Sequence, residues 1–205
     1  MKITLITLTT LLLASLTAGA QNDDRVINNA GDTIACRISV TFPGGVYKYR
    51  TSKKVKAKRI TTDSLKGYYM ADESAWHRRV FYGSVWFMKV IESGKINLYQ
   101  MIVTTSNYGA NGMWYNNYNT EWFVSKATDT AIMIKGALFG RQKRMNELAD
   151  YLADNKALYD KYMVDDKFGF DQIRNLVHLY NTGMPYVEPK PKQEKEDTEG
   201  FNPNQ

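Results

Sequence analysis

The chain has 205 residues, a formal net charge of +6, two histidines and a single cysteine. That length fits one well-buried domain and is marginal for two. A lone cysteine excludes an internal disulfide, so the fold must stand on its apolar core, and a mild basic excess without any recognised nucleic-acid motif argues against a nucleic-acid partner.

The first twenty residues read MKITLITLTTLLLASLTAGA. Lys2 supplies a short positive start, residues 3–16 an apolar stretch diluted by Thr4, Thr7, Thr9 and Thr10, and Ala18-Gly19-Ala20 a small-residue cleavage site before Gln21. This pattern predicts a cleaved export signal. A membrane anchor takes about 20 apolar residues, so the run is too short and too polar for one, and nothing later in the chain matches it. Cys36 lies well past the cleavage point and is no lipidation site. The expected location is therefore exported, periplasmic or outer-membrane-associated, soluble and not lipid-anchored.

From Val26 to about Ile134 the chain has the punctuation of β-structure, with short runs of Val, Ile, Thr, Tyr and Trp between Gly, Asn and Asp. Asn28-Asn29-Ala30-Gly31-Asp32 is a turn before a strand in which Ile34, Cys36, Ile38 and Val40 share one buried face. Pro43-Gly44-Gly45 turns the chain into Val46-Tyr47-Lys48-Tyr49-Arg50. Residues 80–88 and beyond pair with residues 95–103 across Glu92-Ser93-Gly94. A last pair, Trp122-Phe123-Val124 and Ala131-Ile132-Met133-Ile134, meets across Ala127-Thr128-Asp129.

After Gly140 the period becomes helical. Met145, Leu148, Ala149 and Leu152 recur at three and four residues, Leu158, Tyr159 and Tyr162 mark a second helix, and Ile173, Leu176, Val177 and Tyr180 a third that stops at Asn181-Thr182-Gly183. Asp165-Asp166 reads as a turn between helices. Strands followed by helices predict an α+β fold: a curved antiparallel sheet, as a roll or partly open barrel of about seven to nine short strands, closed by two or three C-terminal helices. The expected organisation is a signal peptide over 1–20, a single domain over 21–186 and a disordered charged tail over 187–205.

Gly31-Asp32-Thr33-Ile34, Leu65-Lys66-Gly67-Tyr68-Tyr69, the run from Phe87-Met88-Lys89 through Gly94-Lys95-Ile96-Asn97-Leu98-Tyr99, Trp122-Phe123-Val124 and the late Leu176-Val177 to Leu179-Tyr180-Asn181 stand in one order along the chain. Together they resemble a family of small uncharacterised secreted proteins of Bacteroidota, over roughly Gly31 to Asn181. The shared motifs are strand edges and turns, so the resemblance implies this architecture and an envelope location and carries over no site residue. Residues 108–118 depart from that pattern as an insertion rich in Asn and aromatic residues.

Two segments stand out as candidate sites. Lys48, Arg50, Lys53, Lys54, Lys56, Lys58 and Arg59 place seven cations in twelve residues with no acid among them. An edge strand kept from pairing by its lysines explains the Lys-Val-Lys-Ala-Lys alternation; the alternative is a contact surface for anionic envelope polymers. The second segment, residues 107–119, reads as a long loop. Its Trp114, Tyr115 and Tyr118 beside Asn111 and Asn116 combine flat aromatic faces with amides, the pairing that carbohydrate and protein recognition both use.

Catalytic signatures are lacking. His77 and His178 have no second ligand at metal spacing, His77 reads as a strand start, no Gly-x-Ser-x-Gly elbow or phosphate loop occurs, and Cys36 falls on an inward face as an inert thiol. No catalytic residue, metal or cofactor is assigned. The sequence thus points to a non-enzymatic binding or assembly module of the cell envelope, with an envelope protein or glycan as partner. The alternatives are a small periplasmic hydrolase or isomerase with its site in the sheet concavity, and a basic-strand binder of anionic polymers.

Overall fold

The computed structural model describes residues 23–41, 45–110, 112–126, 130–136, 141–164 and 168–188. Ten strands precede three helices: β1 (Asp24–Asn28), β2 (Thr33–Thr41), β3 (Val46–Arg50), β4 (Lys58–Arg59), β5 (Leu65–Met70), β6 (Ala75–Tyr82), β7 (Ser84–Glu92), β8 (Ile96–Tyr108), β9 (Trp114–Lys126) and β10 (Ile132–Lys135), then α1 (Arg141–Leu152), α2 (Lys156–Val164) and α3 (Phe170–Thr182). The α+β class and the antiparallel sheet are as expected, with ten strands in place of seven to nine. The sheet runs β10-β9-β8-β7-β6-β5-β1-β2-β3-β4, every ladder antiparallel. One isolated parallel bridge joins Phe81 to Thr130, and the Ala131 N–H donates to the Phe81 carbonyl at 2.8 Å. The approach to β10 is thereby drawn onto β6.

Local chemistry explains most boundaries. Asn28 Oδ1 accepts from the Gly31 and Asp32 N–H groups at 2.8 and 2.9 Å, and Gly31 takes the positive φ of 102° that closes the β1–β2 turn. The apolar stripe of α3 buries Ile173, Val177 and Tyr180, and the helix ends on a left-handed Gly183 whose N–H caps the Leu179 carbonyl.

The core has three parts. One face of β8, β9 and β10 packs Ile96, Leu98, Trp122, Val124 and Ile134 against Leu148, Leu152, Ile173 and Val177 of the helices. The opposite face carries Val80, Met88, Tyr99, Phe123 and Ala131 as a second cluster. Val26, Leu65, Tyr68 and Met70 form the third, against half-buried Ile34, Ile38, Tyr47 and Tyr49. Around Leu98, Tyr99, Phe123 and Val124, where β8, β9 and β10 lie together, the sheet is therefore covered on both faces. Strands β2 to β4 are covered on one, because Arg37, Ser39, Lys48, Arg50 and Arg59 alternate with the packed residues.

Two sequence expectations change. Residues 80–88 do not form one strand: Gly83, at φ 62°, reverses the chain between Tyr82 and Ser84, so the expected pairing with residues 95–103 is made by β7 alone. A single glycine among strand-forming residues carried too little signal. Residues 107–119 are no long loop. The ladder between β8 and β9 continues unbroken from Ile96↔Lys126 to Tyr108↔Trp114, and a tight turn follows in which Gly109 N–H donates to Met113 O and Gly112 N–H to Gly109 O. Gly112 supplies the left-handed residue such a turn requires. The period-2 pattern was hidden because neither face here is buried, so polar and aromatic residues alternate without an apolar rhythm.

A register shift between Val90 and Glu92 turns Glu92 toward the helices, where it meets Arg174 Nε at 3.2 Å and His178 Nδ1 at 3.2 Å. Among the described residues no helix is long and apolar enough to cross a membrane. The expected signal peptide over 1–20, most of the expected turn at Pro43-Gly44-Gly45, the turns expected at 127–129 and 165–166, and the expected tail from 189 onward lie outside the described residues.

Candidate functional site

Beyond the pairs Lys89↔Gln100 and Lys135↔Trp122 the neighbouring ladders stop, and among the described residues β8 and β9 pair only with each other. They form a two-stranded arm. From Ile102 to Thr120 this arm contains no charged residue. Its rings stand in solvent: Trp114 is 70%, Tyr118 69% and Tyr108 65% exposed. The register sorts them, since Tyr108↔Trp114, Ser106↔Asn116, Thr104↔Tyr118 and Ile102↔Thr120 share one face. Ser106 Oγ donates to Asn116 Oδ1 at 2.7 Å, and the Tyr108 and Trp114 rings meet edge to face at 5.2 Å.

Of the residues expected at this site, Trp114, Tyr118 and Asn116 thus lie together, Tyr115 lies on the opposite face with Asn117 and Asn119, and Asn111 is outside the described residues. Tyr108, inside the segment singled out from sequence but not named as a contact, and Ile102, outside it, complete the aromatic face. A two-stranded ribbon has little stability of its own in water, so its exposed rings come without the usual structural return.

At the base of the arm, on the same face, a row of cross-strand neighbours runs Tyr68, His77, Lys89, Gln100. With Tyr47, Glu73, Phe87 and Ile102 they line a cleft of about 240 Å³. The His77 ring lies flat on Tyr68, centroids 4.5 Å apart at an interplanar angle of 4°, and Phe87 meets Tyr68 edge-on at 5.2 Å. Lys89 Nζ donates to Glu73 Oε2 at 3.0 Å. His77 Nε2 is 3.4 Å from the same oxygen, close enough for an ion pair but out of hydrogen-bond alignment, so this buried nitrogen has no hydrogen-bond partner.

Burial is the main cause of the titration behaviour here. It holds the His77 pKa below the usual imidazole value against the pull of Glu73. It raises Tyr68, with the Tyr47 and Glu73 charges adding to it, and raises Tyr47 likewise, helped by Glu73 and Asp72. Burial opposes Glu73 as well, yet the Lys89 hydrogen bond and charge outweigh it and hold that carboxylate below its ordinary value. Because His77 is neutral in the fold and charges more readily when unfolded, its contribution to stability is present above the ordinary imidazole pKa and is lost as pH falls below it. Thermal melts from about pH 7 to about pH 5 should show a falling melting temperature, with a shallower fall in His77→Phe, which keeps the stack on Tyr68. Equal slopes would mean that His77 is solvated in the folded protein.

The basic segment occupies the far edge of the sheet. Lys48 and Arg50 lie on β3, and Lys58 and Arg59 make up the two-residue edge strand β4. Cys36 shares strand parity with Ile34 and Ile38 as expected but is only half-buried, because the layer is thin this close to the edge and Val40 is 51% exposed. Burial, with Asp24 and Asp23 nearby, pushes the thiol up to about 11. Alkylation of the folded protein at about pH 8 should therefore be slow and accelerate on unfolding; prompt labelling of the native state would contradict this environment.

Among the described residues no three His, Cys, Asp or Glu side chains are placed to hold a metal ion. The chain matches no protein-family model, no curated protein and no solved structure.

Proposed function

We propose that this protein is a non-enzymatic binding module of the cell envelope that holds a neutral glycan on the aromatic face of its arm. The observation that carries this reading is the uncharged, solvent-exposed row of Ile102, Tyr118, Tyr108 and Trp114 with Asn116 set between the rings. A sugar ring presents C–H faces that stack on flat aromatics and hydroxyls that amides hydrogen-bond. Protein-binding hot spots are enriched in Arg as well as Trp and Tyr, and no Arg stands on the arm. The cleft extends the same face, so the half-buried Gln100 offers a further amide to a chain lying along it. The enzymatic alternative has less support: Tyr68 lies flat against His77, so its hydroxyl is not directed at the imidazole, and burial favours the neutral form of both.

Envelope location rests on the leader. Intact-mass analysis of secreted material is expected to show a chain starting at Gln21, and a mature form retaining residues 1–20 would remove the localisation argument. The binding reading is tested by affinity electrophoresis of the mature protein through gels containing unsubstituted glucan or mannan, beside in-place crosslinking in the envelope. Retardation by a neutral polysaccharide is expected. Crosslinks to an envelope protein through Trp114 or Tyr118 without any retardation would replace the glycan by a protein partner.

A further inference from the structure

We propose that the uncovered face of β2, β3 and β4 is a second binding site, separate from the arm, that takes clustered phosphate groups. Register makes the case. Arg37 stands directly opposite Arg50, and Lys48 directly opposite Arg59, so four cations share one face at spacings of about 5 Å across strands and about 7 Å along them. Arg37, outside the basic run of the sequence, is brought in by pairing alone. Lys58, inside that run, turns to the other face opposite Tyr49.

Like charges directly opposite one another oppose strand pairing. Protection of an exposed edge explains Lys58 and Arg59 on β4 but not this arrangement. Arg37 lies on β2, which is paired on both sides, by β1 and by β3, and Arg50 is its direct partner. Among the described residues no carboxylate forms an ion pair with Arg37, Lys48, Arg50, Lys53 or Arg59. Among the described residues no ion pair offsets this repulsion, Asp23 in the groove beside Arg37 balances only part of it, and a bound anion would compensate the rest.

The local shape also suits such a ligand. A groove of about 260 Å³ runs between β2 and the turn after β3, lined by Arg37, Arg50 and Lys53 together with Thr51 and Ser52. Guanidinium groups take phosphate oxygens two at a time, lysine adds a point charge, and the two residues of the turn carry hydroxyl donors. Asp23 also lines the groove and is its one carboxylate. It disfavours an anion at its own end and so directs binding toward Arg50 and Lys53. Several cations at regular spacing favour a ligand with several phosphates, either a free oligophosphate or phosphorylated headgroups on a surface.

The test titrates the full mature chain with tripolyphosphate, and separately with vesicles of phosphatidylglycerol or phosphatidylcholine, at low and high salt. Arg37→Gln/Arg50→Gln is compared with wild type and with Lys143→Gln/Lys156→Gln, which removes two charges from exposed helical positions. The arginine pair should weaken binding about tenfold or more and reduce the slope of log affinity against log salt by about two, while the helix pair stays within about twofold. Its melting temperature should equal or exceed that of wild type, since a repulsive pair is gone. Should that variant not fold, Lys48→Gln/Arg59→Gln takes its place with the same expectation. Binding to phosphatidylglycerol vesicles and not to tripolyphosphate would identify the source as a membrane headgroup, and the reverse a soluble oligophosphate. Wild-type affinity in both arginine-bearing variants, equal losses in the helix control, or binding of neither probe would overturn the proposal.

Discussion

Trp114→Ala and Tyr118→Ala are each expected to leave the unfolding free energy within about 0.5 kcal/mol of wild type and to abolish retention by the ligand. With 70% and 69% of their surfaces already in water, these rings have little transfer free energy to lose. The one ring pair involved, Tyr108 with Trp114, sits next to the turn, where its loss frays the tip without reaching the clusters around Tyr99 and Phe123. A buried ring in either position would instead cost about 3–5 kcal/mol through transfer and cavity terms. Chemical denaturation and affinity electrophoresis of the same variants separate the two cases. Large stability losses in both would show the arm folded back on the domain in solution; unchanged retention in the double variant would remove the aromatic face from the site. Tyr115→Ala, on the opposite face, should retain binding and is the internal control.

Asn181→Ala is expected to destabilise the protein by about 2–4 kcal/mol, although Asn181 belongs to none of the apolar clusters. Its amide acts as a missing strand. Ile96 is fully buried at the start of β8 and pairs with Lys126 on one side, while on the other its N–H donates to Asn181 Oδ1 at 2.9 Å and its carbonyl accepts from Asn181 Nδ2 at 2.8 Å. Truncation leaves both part-buried backbone groups without these partners, and partial burial puts each toward the lower end of about 1–3 kcal/mol. Gly94 is part of the same device. A Cβ there would stand 2.5 Å from the Asn181 Cγ, so Gly94→Ala displaces the amide and should cost a similar amount. In a double-mutant cycle followed by urea unfolding, Gly94→Ala should add little to Asn181→Ala. Additive losses would mean that the glycine serves its own turn and not the amide.

How much of this was legible depends on the range over which each feature is encoded. The stripe of α3 and its stop at Gly183 were readable because three- and four-residue periodicity and a left-handed cap are local properties of the chain. The alternation of β2 was readable for the same reason, though not how thin the layer beneath Cys36 would be. Strand existence survived where one face is buried. It was lost in the arm, where no burial imposes a rhythm on Asn and Tyr.

The sites show the other side. The aromatic segment and the basic run announced themselves by composition, yet composition could not say that Trp114 faces with Tyr108 and away from Tyr115, or that Arg37 belongs with Arg50. The cleft had no signature at all, since Tyr68, His77, Lys89 and Gln100 come from four strands and are aligned only by three successive registers. By itself, then, the sequence determined the fold class, the helices and the residue types available for recognition, because burial patterns and turn chemistry act between near neighbours. Tertiary structure alone decided which of those residues share a face, because a shift of one residue in strand pairing moves every side chain to the opposite side, and long-range packing selects the register.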